Sequence, residues 1–419
     1  MNIKFRLILM NFMQFFIWGA WLITIGAYWF QNKHWSGAQF GAIFSTMGIS
    51  AIFMPALTGI IADRYINAEK LYGTMHILGA LTLFCIPLVT NPTTFFWVIL
   101  LNMIFYMPTL SLSITVAYTA LKSKNINVVK AYPPIRFWGT VGFIIALWTV
   151  SITHNETSSN QFYIASAIAL TLGIFSFTLP KCPPLYKKTG DKSLVNLLGL
   201  DAFILFKTPK FAIFFAFSLL LGAALQLTNA YGDTFIQDFK NIPSYKDLTA
   251  VKYPAIIMSI SQISETLFIL AIPFFLRKFG IRYVMLFSML AWVLRFGFFA
   301  FGDPADGLWM IVLSCIVYGM AFDFFNISGS LFVETQISPE IRASAQGLFM
   351  MMVNGFGALF GSLSSGLIID KFFTHADKSK DWHGIWLTFA AYALVIAIIF
   401  PFVFRDKHGI EVKHAADLA

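Results

Sequence analysis

The sequence predicts an all-α, polytopic membrane protein with twelve transmembrane helices in two six-helix bundles, on three observations. Apolar runs of about 20 residues recur from end to end, each long enough to cross a hydrocarbon core of roughly 30 Å. The 419-residue chain is 58% hydrophobic and 12% charged, and its charges fall almost entirely between those runs. One short segment also reappears, imperfectly, half a chain further on.

The runs occupy residues 7–30, 38–62, 71–90, 93–121, 134–152, 161–180, 211–236, 254–276, 283–301, 307–333, 341–369 and 385–404, here called spans one to twelve. Lipid offers no partner to an open strand edge, so each is expected to be a helix. Span one follows Lys4 and Arg6 as a signal sequence would, but Asn11, Gln14, Trp18 and Trp21 interrupt it, and it reads as a retained helix. The longest charged connection, 181–210, opens with "KCPPLYKKTGDKS" and divides six spans from six. The expected organisation is an N-terminal bundle at 1–180, a cytoplasmic linker at 181–210, and a C-terminal bundle with a tail at 211–419. Later in the linker, "SLVNLLGLDAFILFK" has apolar residues at helical spacing, which suits a segment lying along the membrane face.

The net charge of +9 has a topological explanation. Lys33, Lys240, Lys246, Lys252, Lys371, Lys378 and Lys380 occupy one set of alternate connections. All other Lys and Arg except Arg136 and Arg295 lie in the opposite set or at the termini. That asymmetry places both termini in the cytoplasm and directs the basic loops to lipid headgroups rather than nucleic acid. Cys85, Cys182 and Cys315 lack metal-ligand spacing, so neither metal nor cofactor is expected. Cys85 and Cys315 are expected to be small buried hydrophobes.

The repeat pairs "PPIRFWGTVGF" at 133–143 with "PEIRASAQGLF" at 339–349, opening spans five and eleven. A half-length repeat with both ends inside is the layout of transporters that bind substrate between their halves. Between spans two and three, "GIIADRYINAEK" resembles the G-x-x-x-D-R loop of the major facilitator superfamily, and "LRKFGIR" is its basic counterpart in the second half. Asp63 and Arg64 are therefore expected to form an inner-side latch.

Four spans carry polar or aromatic residues at helical spacing. Span five has Arg136, Thr140 and Phe143, and span seven has Gln226, Asn229 and Asp233. Span eight has Gln262 and Glu265, while span ten has Tyr318, Phe322, Asp323 and Asn326. Asn and Gln also join helices through hydrogen bonds, and aromatic stripes also pack cores. Arg136 could snorkel to the headgroups, and Arg295 could pair with Asp323 as a structural element. Glu265 has nothing in its own helix to neutralise it, and a charge at a span centre costs roughly 2.5–3.5 kcal/mol. Convergence of these groups suits a ligand with several donors and acceptors and a flat apolar part. A nucleoside fits that description, and a hexose or disaccharide nearly as well, so both stay open on chemistry alone. The H-E-x-x-H and G-x-S-x-G constellations of enzymes are missing from the sequence, which argues against catalysis.

The strings "SISQISETLFILAIPFF", "FDFFNISGS", "PPIRFWGTVGF", "IRASAQG" and "LLGLDAF" together resemble the nucleoside:proton symporters of the major facilitator superfamily, the bacterial nucleoside permeases. The resemblance implies the major facilitator fold and proton-coupled uptake of nucleosides such as uridine and adenosine by alternating access. A proton-coupled sugar or oligosaccharide symporter of the same fold is the alternative. Carried over by position, it implies a substrate site of Arg136, Thr140, Phe143, Gln226, Asn229, Gln262, Glu265, Tyr318, Phe322 and Asp323. Of the carboxylates, Asp323 is assigned the proton and Glu265 the ligand, with Arg136 or Arg295 supplying the countercharge once the proton leaves. The expected setting is the bacterial cytoplasmic (inner) membrane, with each chain, as a monomer, containing a complete pathway.

Overall fold

The computed structural model describes residues 2–184, 200–338 and 341–404. Its elements are helical, and the only strand-like pairing among the described residues is an isolated bridge between Thr374 and Lys380. Nine helices among the described residues are long and apolar enough to cross a membrane. One of them, Pro254–Phe301, contains two spans. Its break is Gly280, whose φ of 75° and ψ of 168° lie where a side chain is rarely tolerated. A Cβ there would meet nothing within 4 Å, so the requirement for glycine is conformational.

Span one is Ile3–Gly19, continued beyond a turn by Ile25–Ala27 and the π-helical Tyr28–Asn32. Span six is the shorter helix Asn160–Ser176. With these two and the doubled helix, the architecture is consistent with twelve crossings. Span five is Val128–Ile152, beginning six residues before the expected start. Asn127 caps it by accepting from Lys130 N–H, and Pro133 and Pro134 sit inside the helix rather than opening it. Span eleven is Arg342–Met350, the π-helical Met351–Gly357 and Ala358–Phe372. Pro339 and Glu340 of the repeat lie outside the described residues, as do 185–199 of the linker. The linker's Leu200–Lys207 is a 3₁₀ helix rather than the α-helix its spacing suggested, with Ala202 and Leu205 buried.

In the first half, span one packs on five and six, two on four, and three on four and six. In the second, span seven packs on eleven and twelve, and the Pro254–Phe301 helix on ten and twelve. Apolar side chains such as Trp97, Leu270 and Phe402 remain exposed, as a lipid-facing surface requires. Cys315 is buried, but Cys85 is exposed at the end of its helix.

The halves meet at the end of the molecule holding residues 26–48 and 355–370. Asp370 accepts from the N–H groups of Gly37 and Ala38, both at 2.8 Å, capping span two with a carboxylate where the helix dipole favours one. Trp148 Nε1 donates to Ser259 Oγ at 2.9 Å, joining spans five and eight. Gly48 lets span two approach span eleven, since a Cβ would lie 2.5 Å from the Gly355 carbonyl oxygen and 2.6 Å from Leu359 N. This is the closed end.

Candidate functional site

Span eight shows which way its costly polar groups face. Ile263, Leu267 and Leu270 are exposed, and at 100° per residue they lie opposite Glu265. Gln262 and Glu265 are half-buried on the inner face. The Glu265 carboxylate interacts electrostatically with Arg136 of span five, and with Tyr318 and Asp323 of span ten. Groups from both halves therefore share one interior region, and Glu265 does not point into lipid.

Arg136, Thr140 and Phe143 share the half-buried face of span five. The Arg136 guanidinium lies 3.9 Å over the Phe15 ring. It is directed into the protein rather than to the headgroups. In span ten, Tyr318 and Phe322 stack with centroids 5.8 Å apart and planes 4° from parallel. Asp323, only 4% exposed, follows directly, and its Oδ2 has no hydrogen-bond partner. Gln226 Oε1 and Gln262 Oε1 are likewise buried acceptors without donors. A small hollow is lined by Leu221, Leu225, Trp292, Phe322, Asn326 and Val353, among others, and so by the sequence neighbours of Gln226 and Asp323. Asn229 stands one turn beyond Leu225 on span seven.

Arg295 departs from the expected pairing. It forms no ion pair with Asp323 among the described residues. Instead its guanidinium lies 4.4 Å over Tyr318 and 5.1 Å over Phe299, and Nη1 donates to the Ser314 carbonyl at 2.8 Å. A planar, weakly hydrated guanidinium is well suited to such a stacked, buried position. Arg295 thus braces the Tyr318 ring from span nine. Asp233, one turn beyond Asn229 on the same helix, lies toward the closed end, within reach of the charges of Glu156 and Lys240. The Asp63 side chain lies outside the described residues; Arg64 closes the helix Gly37–Arg64.

Two features escaped the sequence reading. Phe15, beneath Arg136, has no local mark in a chain with 47 phenylalanines. Gln14 looked like an interruption of span one, yet it is fully buried at the centre of a network. Its Oε1 accepts from Tyr72 Oη at 2.6 Å and contacts His76 Nε2 at 2.8 Å, while its Nε2 donates to Thr109 Oγ1 at 2.9 Å. Tyr106 Oη donates to the Gln14 carbonyl at 2.8 Å, tying spans one, three and four together. A polar residue at mid-helix can mark such a network.

The model of a family described as nucleoside H+ symporter matches residues 1–409. Xanthosine permease of Escherichia coli (strain K12) is 53% identical over 418 residues, covering 99% of either chain. Nucleoside permease NupG of the same organism is 50% identical over 409 residues, covering 97% of either chain. A crystal structure of nucleoside transporter NupG (D323A mutant) superposes with a TM-score of 0.93 at 50% identity, covering 96% of this chain and all of that one. An inward-facing bacterial homologue of the human lysosomal transporter Spinster, 15% identical, has a TM-score of 0.67 over 96% of this chain and 95% of its own, and shows a shared fold alone. The match over nearly its whole length, together with identities of 50% or more, shows that this chain belongs to the nucleoside H+ symporter family.

Proposed function

We propose that the chain carries nucleosides, uridine and adenosine among them, into the cell with protons by opening its two ends alternately around one central site. The observation carrying this reading is the electrostatic line from Arg136 through Glu265 to Tyr318 and Asp323, which joins groups of both halves in the interior. Arg136, Thr140 and Phe143 form one wall in this reading, with Gln226, Asn229, Gln262, Glu265, Tyr318, Phe322 and Asp323 opposite. The donorless acceptors Gln226 Oε1, Gln262 Oε1 and Asp323 Oδ2 suit the hydroxyls of a ribose or the N–H edge of a base. The parallel pair Tyr318 and Phe322 offers a flat face beside them.

Asp323 carries the coupling proton and Glu265 grips the nucleoside. A carboxyl out of water favours its neutral form, so a proton gained outside permits reorientation and leaves inside. The membrane potential adds about 2.3 kcal/mol per charge per 100 mV. Arg136 is the countercharge nearest Glu265. Arg295 acts through the Tyr318 ring it stacks on. Asp63 and Arg64 latch the opposite end.

The functional unit is a monomer with both termini in the cytoplasm of a bacterial cell. Its halves are 1–180 and 211–419, joined by 181–210. The Lys and Arg asymmetry supports this orientation, which makes the closed end the outer one. The test is uptake of labelled uridine into vesicles with and without a protonophore, competed by adenosine, guanosine or lactose. Uptake that collapses with protonophore and is blocked by nucleosides supports the reading. Competition by lactose alone would replace it with the sugar symporter.

A further inference from the structure

The closed end contains two carboxyl groups that the central site does not use. Glu156, in the connection between spans five and six, is 3% exposed. Its Oε1 accepts from Ser151 Oγ at 2.6 Å and from Ala255 N–H at 3.3 Å. Its Oε2 accepts from Gln237 Nε2, and Lys240 Nζ lies 4.0 Å away. Ser151 belongs to the first half, whereas Ala255, Gln237 and Lys240 belong to the second. One carboxyl group therefore fastens the halves together.

Asp233 stands one helical turn before Gln237, on the same face of span seven. It is fully buried, neither of its oxygens has a hydrogen-bond partner, and it feels the charges of Glu156 and Lys240. Lys240 is itself engaged by Gln237 Oε1 at 2.5 Å. Several other titratable groups of this end are engaged elsewhere. Lys252 pairs with Asp247 at 3.1 Å, Lys380 with Asp238 at 3.5 Å, and the His154 ring stacks on Tyr253. If both carboxyls were ionised, two buried negative charges would face one cation. An unpaired buried carboxylate is strongly disfavoured, and one proton shared by the two groups removes the excess.

We propose that Glu156 and Asp233 together form a proton-binding site of the gate: closing this end traps one proton on the pair, and opening it returns that proton to the same side. Burial pushes the Glu156 carboxyl above its ordinary range, against the opposing effects of the Ser151 hydrogen bond and Lys240, in keeping with proton retention. This proton differs from the one assigned to Asp323. It enters and leaves on one side, so it sets how readily the gate closes without adding to the number of protons transported. The inference rests on the alternate opening of the two ends, but not on the identity of the cargo.

The sign follows from the proton count. The closed form holds one proton more than the open form, so acid favours closure, by at most tenfold per pH unit. The experiment follows a reporter thiol, Ser365→Cys, in full-length protein whose Cys85, Cys182 and Cys315 are replaced by serine. Ser365 is 2% exposed in span eleven, which packs against span two. Reaction with a small methanethiosulfonate reagent is measured without nucleoside. Each rate is divided by that of the same thiol after unfolding, which removes the thiol's own pH dependence. The normalised rate is expected to fall by up to tenfold per pH unit of acidification. Asp233→Asn and Glu156→Gln, both isosteric, are expected to flatten the profile, and either one decides the matter. A flat profile in the parent, or a profile unchanged in the variants, would overturn the proposal. So would a profile abolished by Asp323→Asn but not by Asp233→Asn. Because nucleoside is absent, a wrong assignment of the cargo leaves these outcomes untouched.

Discussion

The guanidinium of Arg136 lies 3.9 Å above the ring of Phe15, so the cation of span five is held by an aromatic group of span one. A cation–π contact is worth about 0.5–2 kcal/mol, rising with desolvation. Phe15→Leu removes the quadrupole but retains apolar volume. The expected result is a rise in KM for uridine of roughly two- to thirtyfold with little change in kcat, and recovery in Phe15→Tyr. A purely structural role for Phe15 would instead lower the amount of folded transporter and leave KM unchanged.

Tyr318 and Phe322 lie nearly parallel, and Arg295 braces the first ring at 4.4 Å. Stacking of a base on an aromatic side chain contributes about 1–3 kcal/mol. Phe322→Leu is expected to weaken nucleoside binding, measured by calorimetry on the purified protein, by roughly five- to 150-fold. Tyr318→Phe keeps the ring and its cation, and is expected to cost much less. A loss in Tyr318→Phe with none in Phe322→Leu would show that the hydroxyl, rather than the stacked face, carries the contact.

The spans were legible because lipid leaves the chain few choices: a long apolar run must be a helix. Features set by helix capping or by contacts between separate segments were not. Pro133 and Pro134 read as the start of span five, yet the helix begins at Val128, where Asn127 supplies the cap. Opposite charges suggested that Arg295 pairs with Asp323, but Tyr318 and Phe299 hold the guanidinium. Glu156 sits in "HNETSSN", which reads as a solvated loop. Its partners Gln237 and Ala255 lie 81 and 99 residues away, so no local pattern announces its burial. The central polar groups were visible for the opposite reason. A carboxylate or arginine among apolar residues stands out wherever its partners are.

Asp323→Asn preserves volume and removes the titrating group. If Asp323 carries the coupling proton, the variant is expected to lose accumulation against a gradient, so that its vesicles equilibrate nucleoside and no longer respond to a protonophore. Exchange of labelled for unlabelled uridine does not require net proton movement and is expected to persist. A variant that still concentrates uridine would remove Asp323 from the coupling step and leave Glu265 as the carrier.

Gly48 is a steric test of the closed end. A Cβ at this position would lie 2.5 Å from the Gly355 carbonyl oxygen and 2.6 Å from Leu359 N, and both are backbone atoms that cannot swing aside. Gly48→Leu therefore obstructs the approach of span two to span eleven without altering any group assigned to substrate or proton. The open form of this end gains population, because the same side chain has room once the spans separate. The expected result is loss of uptake of at least tenfold, with nucleoside binding retained in detergent and faster reaction of the Ser365→Cys thiol at every pH. Closure needs these backbones in contact, so a Gly48→Leu protein that transports normally would mean that spans two and eleven stay together throughout the cycle, and the moving interface would have to be sought elsewhere.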